Sequence, residues 1–472
     1  MDNYITLPTW LFVLLVVFAA VMVLDRLLMP GLRWYLHRRV NKVIDEVSTR
    51  LDIEIRPFQL TRRQSLIDQL VFDEPVIEAI KSYAEKNKMP TALAQQKARQ
   101  YASEIVPAFN AYVYFRFGYW LARKFARLIY RIRVGFFDDD GLKKIPQGAS
   151  VVFVMNHRSN MDYILTSFLV AEKTALSYAV GEWARIWPLQ TLIKSMGAFF
   201  VRRNSCNPLY RKVLERYVHM ATRAGVCQAV FPEGGLTRNG ALREPRLGFM
   251  DYMLREFHPE FDKDIMFVPV GINYDRVIED RSLIRKLDKE VEKRSSWFVI
   301  KTSLSFIYKM TLLSRKMRWK RFGYASVNFG PPVSVKQYCA DNKIDFSQFE
   351  QEERFEHVKQ LAESLMKNIS DVIPILPVAL MSEVLLSNKS QWQSELDLKS
   401  QAAQRIDELK NNGAPINISS NACESVLSNA LSMLTARGLV SNEDNLLRVS
   451  EEADALLEYY ANSIQHWQQT HN

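Results

Sequence analysis

The residues best suited to proton transfer lie in the stretch NHRSNMDY, where His157 precedes Asp162 by five positions. The stretch follows the apolar run SVVFVM, which is typical of a buried strand, and Ser159 or Asn160 can cap a helix that follows. Asp162 would then lie in the first turn, where a helix end stabilises a carboxylate. The carboxylate could reach one imidazole nitrogen of His157 and leave the other as a proton acceptor. A purely structural histidine at a helix start is the alternative.

Two further stretches place anion-binding groups at the ends of apolar runs. GAFFVRR ends on Arg202 and Arg203, whose planar guanidinium groups can grip a phosphate, although two solvated arginines would look the same in sequence. FPEGGLTRNG combines a carboxylate, a flexible turn and a guanidinium: Glu233, Gly234, Gly235 and Arg238. A double glycine allows backbone N–H groups to approach an anion closely, but it can also be an ordinary turn. Together the three stretches predict a site for a phosphorylated substrate that carries a hydroxyl group.

The elements that must position these residues are short apolar runs separated by helical segments between about 148 and 335. The runs are ASVVFVM, LSYAVG, GAFFVRR, CQAVFPEGG, IMFVPVGINY and ASVNFGPPV. Such alternation predicts an α/β unit whose strands are buried on both faces, with its chemistry in loops at the strand ends.

Helical patterns flank this unit, so we divide the chain into four parts. Residues 1–30 form a membrane anchor, 31–134 a helical region, 135–340 the α/β domain and 341–472 an acidic helical domain. The segment NAYVYFRFGYWLARKFARLIYRIRVGFF mixes arginines with aromatic residues, as a helix lying in a lipid headgroup layer would. A core helix with a solvated basic face has the same pattern.

The amino terminus predicts a membrane location. Residues 3–24 are 22 uncharged, mostly apolar residues, enough to span a bilayer. A cleaved signal peptide is the competing interpretation, but no Lys or Arg precedes the apolar run. Basic residues follow it closely, which places the remaining chain in the cytoplasm by the positive-inside rule.

Charge is distributed unevenly along the chain. Residues 341–472 hold 10 Lys/Arg against 20 Asp/Glu, whereas the first 340 residues hold 52 against 32. A basic portion of this size suits nucleic acid, an anionic membrane or a phosphorylated substrate. No helix-turn-helix, finger or RNA-binding signature is present in the sequence, which argues against nucleic acid. The four cysteines show neither paired nor metal-ligand spacing, so we expect no disulfide, no metal and no cofactor.

These blocks resemble those of the glycerol-3-phosphate acyltransferases, within the wider glycerolipid acyltransferase superfamily. HRSNMDY is similar to the first block of the family, with its His-x4-Asp pattern, and GAFFVRR to the second. FPEGGLTRNG is similar to the third block, and FVPVGINYD, which contains Pro269, to the fourth. The resemblance implies a mixed sheet wrapped by helices, and LLEYYANSIQHW looks like the tail of the long family members.

The resemblance also implies a reaction: acyl transfer from acyl-CoA or acyl-carrier protein to the 1-hydroxyl of glycerol 3-phosphate, with anionic membrane lipids as neighbours. His157 would take the hydroxyl proton, Asp162 would orient the imidazole, and no acyl-enzyme would form. Phosphate would lie near Arg202, Arg238 and Arg203, with Glu233, Gly234, Gly235 and Pro269 as further substrate-binding residues.

One position departs from the family pattern: Leu236 follows the two glycines, where the third block has an arginine. Either Arg238 with Arg243 or Arg246 holds the phosphate, or the acceptor is dihydroxyacetone phosphate or a lysophospholipid such as lysophosphatidate. A non-catalytic, lipid-binding membrane scaffold with the same fold is the alternative from another functional class.

Overall fold

A computed structural model describes residues 56–137, 139–170, 175–181, 189–202, 205–285, 305, 310–416, 418 and 423–468. The anchor expected over residues 1–30 lies outside this part of the chain. Within the described ranges, none of the helices combines the length and the apolar character that crossing a bilayer requires.

The amino-terminal part of the described chain is helical. Its helices are α1 (Pro57–Leu60), α2 (Arg63–Val71), α3 (Glu74–Lys86) and α4 (Thr91–Ile105), followed by a π-helix (Val113–Gly118) that continues into α5 (Tyr119–Ile129). Alanines at four-residue spacing in α4, Ala94, Ala98 and Ala102, are fully buried, so that this helix packs closely on its neighbours.

The central unit alternates strands and helices. Its strands are β1 (Arg131–Phe137), β2 (Ser150–Met155), β3 (Ser177–Val180), β4 (Phe199–Phe200), β5 (Gln228–Val230), β6 (Ile265–Tyr274), β7 (Tyr324–Phe329) and β8 (Val333–Ser334). Its helices are α6 (Asp139–Lys143), α7 (Met161–Val170), α8 (Leu189–Ser195), α9 (Pro208–Arg223), α10 (Gly248–Leu254), α11 (Asp280–Arg285), α12 (Arg315–Phe322), α13 (Val335–Asn342) and α14 (Gln351–Val372).

The strands form one mixed sheet in the order β1-β7-β6-β2-β5-β3-β4, and β8 pairs with β6. Strands β6, β2, β5, β3 and β4 run parallel to one another, whereas β7 and β8 are antiparallel to β6. This arrangement confirms the predicted α/β class and the mixed sheet. All six apolar runs that were predicted as strands form strands β2 to β7.

Helices cover both faces of the sheet, because alternate residues of β2 pack into different apolar clusters. Val151 and Phe153 face a cluster that also contains residues of α5, α7 and the carboxy-terminal helices. Val152 and Val154 face a second cluster formed with α2, α3, α4, α9 and α14. A strand buried on both faces is an uninterrupted apolar run, which is why β2 could be recognised in the sequence.

The carboxy-terminal part contains α15 (Pro377–Ser387), β9 (Gln393–Ser394), α16 (Glu395–Asn411), α17 (Cys423–Ala436), β10 (Val440–Glu443), β11 (Leu446–Val449) and α18 (Asp454–Ala461), with a 3₁₀ turn over Asn462–Trp467. Strands β9, β11 and β10 form a small antiparallel sheet. The helices expected in 341–472 are present as α14, α16 and α18. The small sheet was not expected: the short turn at Asp444 and Asn445 folds β10 and β11 into a hairpin.

A second correction concerns the basic segment predicted as one helix up to Phe137. The helix ends at Ile129, and Arg131–Phe137 is a strand that pairs in parallel with β7. Ile132 and Val134 are β-branched residues that suit a strand, and the partner strand lies almost 200 residues further along the chain. Helical periodicity and alternation are difficult to separate over such a short segment.

Candidate functional site

The candidate site lies at one edge of the sheet, where four parallel strands end. Strands β2, β3, β4 and β5 all point the same way, so their carboxyl ends meet at the same edge. His157 follows β2, Arg202 follows β4 and Phe231 follows β5. The sheet order thus brings together three stretches that lie apart in the sequence, from His157 to Phe231.

His157 and Asp162 form a hydrogen-bonded pair in the loop between β2 and α7. The Nδ1 atom of His157 lies 2.9 Å from Oδ2 of Asp162. The same oxygen accepts the backbone N–H groups of Arg158 and Ser159, at 2.8 and 3.0 Å. Because Asp162 is acceptor-only, Nδ1 carries the proton and donates it, and Nε2 has the lone pair that a general base needs.

Tyr274 completes the surroundings of the carboxylate. Its hydroxyl donates a hydrogen bond of 2.6 Å to Oδ1 of Asp162 from the end of β6. Burial raises the pKa of Tyr274 well above its usual value, so the phenol keeps its proton and remains a donor. Asp162 is completely buried and accepts four hydrogen bonds, which fix its orientation and that of the imidazole.

The imidazole ring is held by stacking as well as by the carboxylate. His157 stacks on Phe231 at a centroid distance of 4.0 Å, and Tyr163 contacts it edge-on at 5.4 Å. Among the described residues, no hydrogen bond to Nε2 is found, and His157 forms part of a cavity wall. The lone pair of Nε2 is thus available to a hydroxyl group that enters this cavity.

The cavity has a volume of about 340 Å³, enough for a small phosphorylated substrate. Its wall combines His157 with three arginines, Arg202, Arg211 and Arg246. The remainder comes from the strand ends and from α9 and α10, including Val180, Val201, Tyr210, Phe231, Phe249 and Tyr252. A base and several guanidinium groups therefore line one cavity with partly aromatic walls.

Arg202 lies in the cavity wall and is already paired with a carboxylate. Its Nε and Nη2 atoms donate to the two oxygens of Glu104, at 3.0 and 2.7 Å. These bonds raise the pKa of the Arg202 guanidinium, which stays charged. Arg203, the second arginine of the predicted pair, lies outside the described residues.

The turn after β5 contributes Arg246 to the cavity, not Arg238. Gly234 has a φ of +67°, and a Cβ there would lie 2.5 Å from Cδ of Arg246, so the glycine leaves space for this side chain. Arg238 is exposed and does not line the cavity, and Leu236 packs against the main apolar cluster. Of Arg238, Arg243 and Arg246, the arginines of this loop considered for the phosphate, Arg246 is the one that lines the cavity together with His157.

Glu233 is buried behind the cavity and links two loops. Its Oε1 accepts the backbone N–H of His157 at 2.7 Å, and its Oε2 accepts that of Arg243 at 3.1 Å. Gly235 is buried beside it, and Pro269 lies within β6, opposite Val154 of β2. Direct contact of these three residues with substrate stays a prediction, and the geometry assigns Glu233 to holding the His157 loop.

Glu233 should make stability depend on pH. Burial raises the pKa of Glu233 to about 7, although the two backbone N–H donors lower it. The folded protein therefore binds more protons than the unfolded chain between about pH 4.5 and 7, and stability falls as pH rises through this window. Urea unfolding of wild type and Glu233→Gln from pH 5 to 8 isolates this contribution. The difference between wild type and Glu233→Gln should shrink as pH rises, and a difference independent of pH would contradict the assignment.

Arg158, next to His157, ties the site to the carboxy-terminal part. It is 2% exposed, its Nη1 donates to the carbonyl of Gly240 at 2.8 Å, and its guanidinium lies 4.9 Å from the ring centre of Tyr459 in α18. Asn462 donates to the carbonyl of Asn239 at 3.0 Å. The loops that carry the site therefore pack directly against the last helix of the described chain.

Gly240 is the position where this contact is closest, so Gly240→Ala should destabilise the fold. A Cβ there would lie 1.8 Å from the backbone oxygen of Tyr459, and φ is +87°. We expect a loss of about 3 kcal/mol or more in the free energy of unfolding, measured by urea denaturation. Gly413→Ala is the matched control, because φ is +79° there and nothing lies within 4 Å of its Cβ. It should cost only about 1 kcal/mol, and equal losses in the two variants would contradict the contact.

Sequence reasoning missed three residues that take part in the site. Tyr274, Glu104 and Arg211 reach it from β6, α4 and α9. Tyr274 lies within FVPVGINYD, where sequence reasoning singled out Pro269 instead, and Glu104 and Arg211 lie in stretches with no unusual pattern. Within the described ranges, no group of His, Cys, Asp and Glu side chains has the arrangement needed to hold a metal ion.

Two family models match the chain. The model described as Acyltransferase matches residues 137–273, which include His157, Asp162, Arg202, Glu233 and Arg246. The model described as Glycerol-3-phosphate acyltransferase C-terminal region matches residues 309–468. The second match covers the helices that contact the loops of the site, including α18.

Curated bacterial proteins named glycerol-3-phosphate acyltransferase are similar over most of this chain. That of Ectopseudomonas mendocina is 30% identical over 74% of this chain and 41% of its own length. That of Pseudomonas entomophila is 31% identical over the same shares, and that of Xanthomonas axonopodis pv. citri is 26% identical over 91% of this chain and 48% of its own length. The chain thus spans less than half the length of these curated relatives.

A solved structure of the 1-acyl-sn-glycerophosphate (LPA) acyltransferase PlsC from Thermotoga maritima is more distantly similar. It is 14% identical, and the match covers 58% of this chain and 82% of that chain with a TM-score of 0.29. This likeness is too low to support a functional inference.

Proposed function

Because the chain belongs to the glycerol-3-phosphate acyltransferase family, we propose that it transfers a fatty acyl group from a thioester to the 1-hydroxyl of glycerol 3-phosphate. The observation that carries the proposal is the cavity in which the His157–Asp162 pair faces Arg202, Arg211 and Arg246. A base beside several guanidinium groups suits an acceptor that has both a hydroxyl and a phosphate. The product is lysophosphatidate, the precursor of phospholipids.

The chemistry can be written with the side chains in place. Nε2 of His157 removes the proton of the acceptor hydroxyl as its oxygen attacks the thioester carbonyl. The resulting tetrahedral intermediate collapses, the bond between carbon and sulfur breaks, and the thiolate takes the proton back from the imidazolium. Asp162 stabilises the imidazolium between these steps. No nucleophile from the protein is needed, because the acceptor hydroxyl has this role.

In this proposal, binding of the acceptor's phosphate positions the acceptor's hydroxyl. Bound among the arginines, it fixes the glycerol within reach of Nε2, which lowers the entropic part of the barrier. The donor in this proposal is acyl-CoA or acyl-carrier protein, whose acyl chain enters along the aromatic and aliphatic part of the wall.

An acceptor panel tests the proposal. Purified full-length protein is given one long-chain acyl thioester and, in separate reactions, glycerol 3-phosphate, dihydroxyacetone phosphate or lysophosphatidate. We expect the highest kcat/KM with glycerol 3-phosphate. Faster transfer to lysophosphatidate or to dihydroxyacetone phosphate would replace the proposed acceptor, and binding of lipid without transfer to any acceptor would support a scaffold instead.

A membrane location is part of the proposal, with residues 1–30 as the anchor and the remainder on the cytoplasmic side of a bacterial inner membrane. Support comes from an exposed surface on the π-helix and α5, where Phe117, Trp120 and Leu121 are 48%, 53% and 37% exposed. Exposed basic residues surround them: Arg116, Arg123, Lys124 and Arg127. Aromatic residues within a basic surface are typical of contact with anionic lipid.

A fluorescent label tests this surface in the full chain. In a background with Cys206→Ser and Cys423→Ser, an environment-sensitive dye is attached to Trp120→Cys, with Leu396→Cys as the control. Leu396 is 75% exposed and lies in the carboxy-terminal part. On anionic vesicles we expect a blue shift at position 120 only. Equal spectra at the two positions would contradict the membrane contact.

A further inference from the structure

We propose that Glu104 of α4 is the positioning residue of the phosphate site, holding Arg202 so that its unpaired edge points into the cavity. The inference deepens the proposed function and rests on it, because it concerns how the same cavity takes the phosphate of its acceptor. It assigns a role in substrate binding to the amino-terminal helices, which carry none of the family's sequence blocks.

Two hydrogen bonds connect the side chains of Arg202 and Glu104. Nε of Arg202 donates to Oε1 of Glu104 at 3.0 Å, and Nη2 donates to Oε2 at 2.7 Å. Two parallel charge-assisted bonds fix the plane of the guanidinium as well as its position. Glu104 has only 16% of its side chain exposed, whereas Arg202 has 35%, so the carboxylate forms the inner side of the pair.

The two hydrogen bonds to Glu104 use one edge of the Arg202 guanidinium. A guanidinium has five N–H donors, of which Glu104 occupies Nε–H and one hydrogen of Nη2. Nη1 makes no hydrogen bond to any described residue, and Arg202 belongs to the cavity wall. The edge formed by Nη1 and Nη2 therefore keeps the donors that a phosphate needs for a bidentate contact.

Other contacts keep Arg202 in the same place. Its backbone N–H donates to the hydroxyl of Tyr210 at 2.9 Å. The guanidinium lies 5.2 Å from the ring centre of Tyr101 and 5.3 Å from that of Tyr210. Tyr101 is one helical turn before Glu104 on α4, so one face of α4 presents both a carboxylate and an aromatic ring to Arg202.

Holding an arginine in this way favours binding because a long side chain otherwise loses rotamer freedom when it meets its ligand. The cost in charge is limited, because Arg211 and Arg246 also face the cavity. The Glu104 carboxylate therefore lowers the positive potential of Arg202 and fixes the orientation of its guanidinium. Its removal should weaken phosphate binding and leave the chemistry at His157 unchanged.

The test is the kinetics of Glu104→Gln in the full chain. Glutamine has the same size but only one acceptor oxygen, and its NH₂ group cannot accept from the guanidinium. We expect KM for glycerol 3-phosphate to rise about tenfold, the scale of one charge-assisted hydrogen bond. The kcat and the KM for the acyl thioester should stay within about twofold, because neither involves this bond.

Glu383→Gln is the matched control. Glu383 on α15 also pairs with an arginine: its Oε1 accepts from Nε of Arg405 at 3.0 Å and lies 3.0 Å from Nη2, far along the chain and outside the cavity wall. We expect it to leave KM for glycerol 3-phosphate unchanged. Thermal unfolding of both variants shows whether a loss of stability accompanies any kinetic change.

A double variant tests whether Glu104 acts through Arg202. Arg202→Lys removes the planar guanidinium with its parallel N–H donors. Adding Glu104→Gln to this variant should therefore raise KM for glycerol 3-phosphate by less than about twofold further. Additive effects would contradict the inference, as would an unchanged KM in Glu104→Gln. A lower KM in that variant would also contradict it, since the carboxylate would then be a competitor of the phosphate.

Calorimetric titration of glycerol 3-phosphate, without any thioester, separates this inference from the proposed reaction. If wild type binds glycerol 3-phosphate about tenfold more tightly than Glu104→Gln but transfers no acyl group, the positioning role stands and the proposed reaction fails. If transfer occurs and both proteins bind equally, the reaction stands and the positioning role fails. Absence of binding to wild type would overturn both.

Discussion

His157→Gln should lower kcat for acyl transfer about 10³-fold, within the range expected for loss of a general base. The Nε2 lone pair is the basic group that faces the cavity, and an amide cannot replace it. Glutamine fills most of the space of the imidazole, which stacks on Phe231, so the loop should keep its conformation. The measurement is the initial rate of thiol release and of lipid formation at saturating glycerol 3-phosphate.

His219→Gln provides the control for this prediction. His219 is a buried histidine on α9 that pairs with Glu256 at 3.1 Å, away from the cavity that contains His157. Its replacement should leave kcat within about twofold, since it contacts no group in the proposed reaction. A folded His157→Gln protein with the activity of His219→Gln would contradict the role of His157 as the base.

Asp162→Asn should lower kcat by about 10²-fold to 10³-fold while leaving the fold intact. Asparagine can place its oxygen where Oδ2 lies and still accept from His157, Arg158 and Ser159. Its amide can donate to the Tyr274 hydroxyl, which turns to accept. What disappears is the negative charge that stabilises the imidazolium.

Tyr274→Phe separates the charge of Asp162 from its orientation. This variant removes one of the four hydrogen bonds of the carboxylate and keeps its charge. We expect kcat to fall about tenfold or less, well above the activity of Asp162→Asn. Equal losses in the two variants would mean that orientation, and not charge, is the main contribution of Asp162. For both variants, kcat and KM for glycerol 3-phosphate are measured, and KM should stay unchanged.

The sequence indicated the parts of the site that are local. His157 and Asp162 are close in sequence, and the strand before them and the helix after them fix their geometry. The apolar runs of β2 to β7 are buried on both faces, so their composition alone identifies them. The meeting of three strand ends followed from the parallel order that such runs imply.

The remaining parts depend on contacts between distant segments. Glu104 is 98 residues from Arg202, and Tyr274 is 112 residues from Asp162, so no spacing rule connects either pair. Arg238 and Arg246 are equally basic in sequence and both are exposed, and the course of the turn decides that Arg246 lines the cavity while Arg238 does not. Glu233 has the composition of a binding residue, but its burial makes it an acceptor for backbone N–H groups.

The central claim is that one cavity holds the acceptor phosphate beside His157. The most direct test is kcat/KM of the purified full chain for glycerol 3-phosphate against glycerol, with the same acyl thioester. We expect glycerol, which has the hydroxyl without the phosphate, to be at least about 10³-fold poorer, since the arginines then gain no ligand. Acylation of glycerol with equal efficiency would contradict the claim, because His157 would then act on a hydroxyl that no phosphate positions.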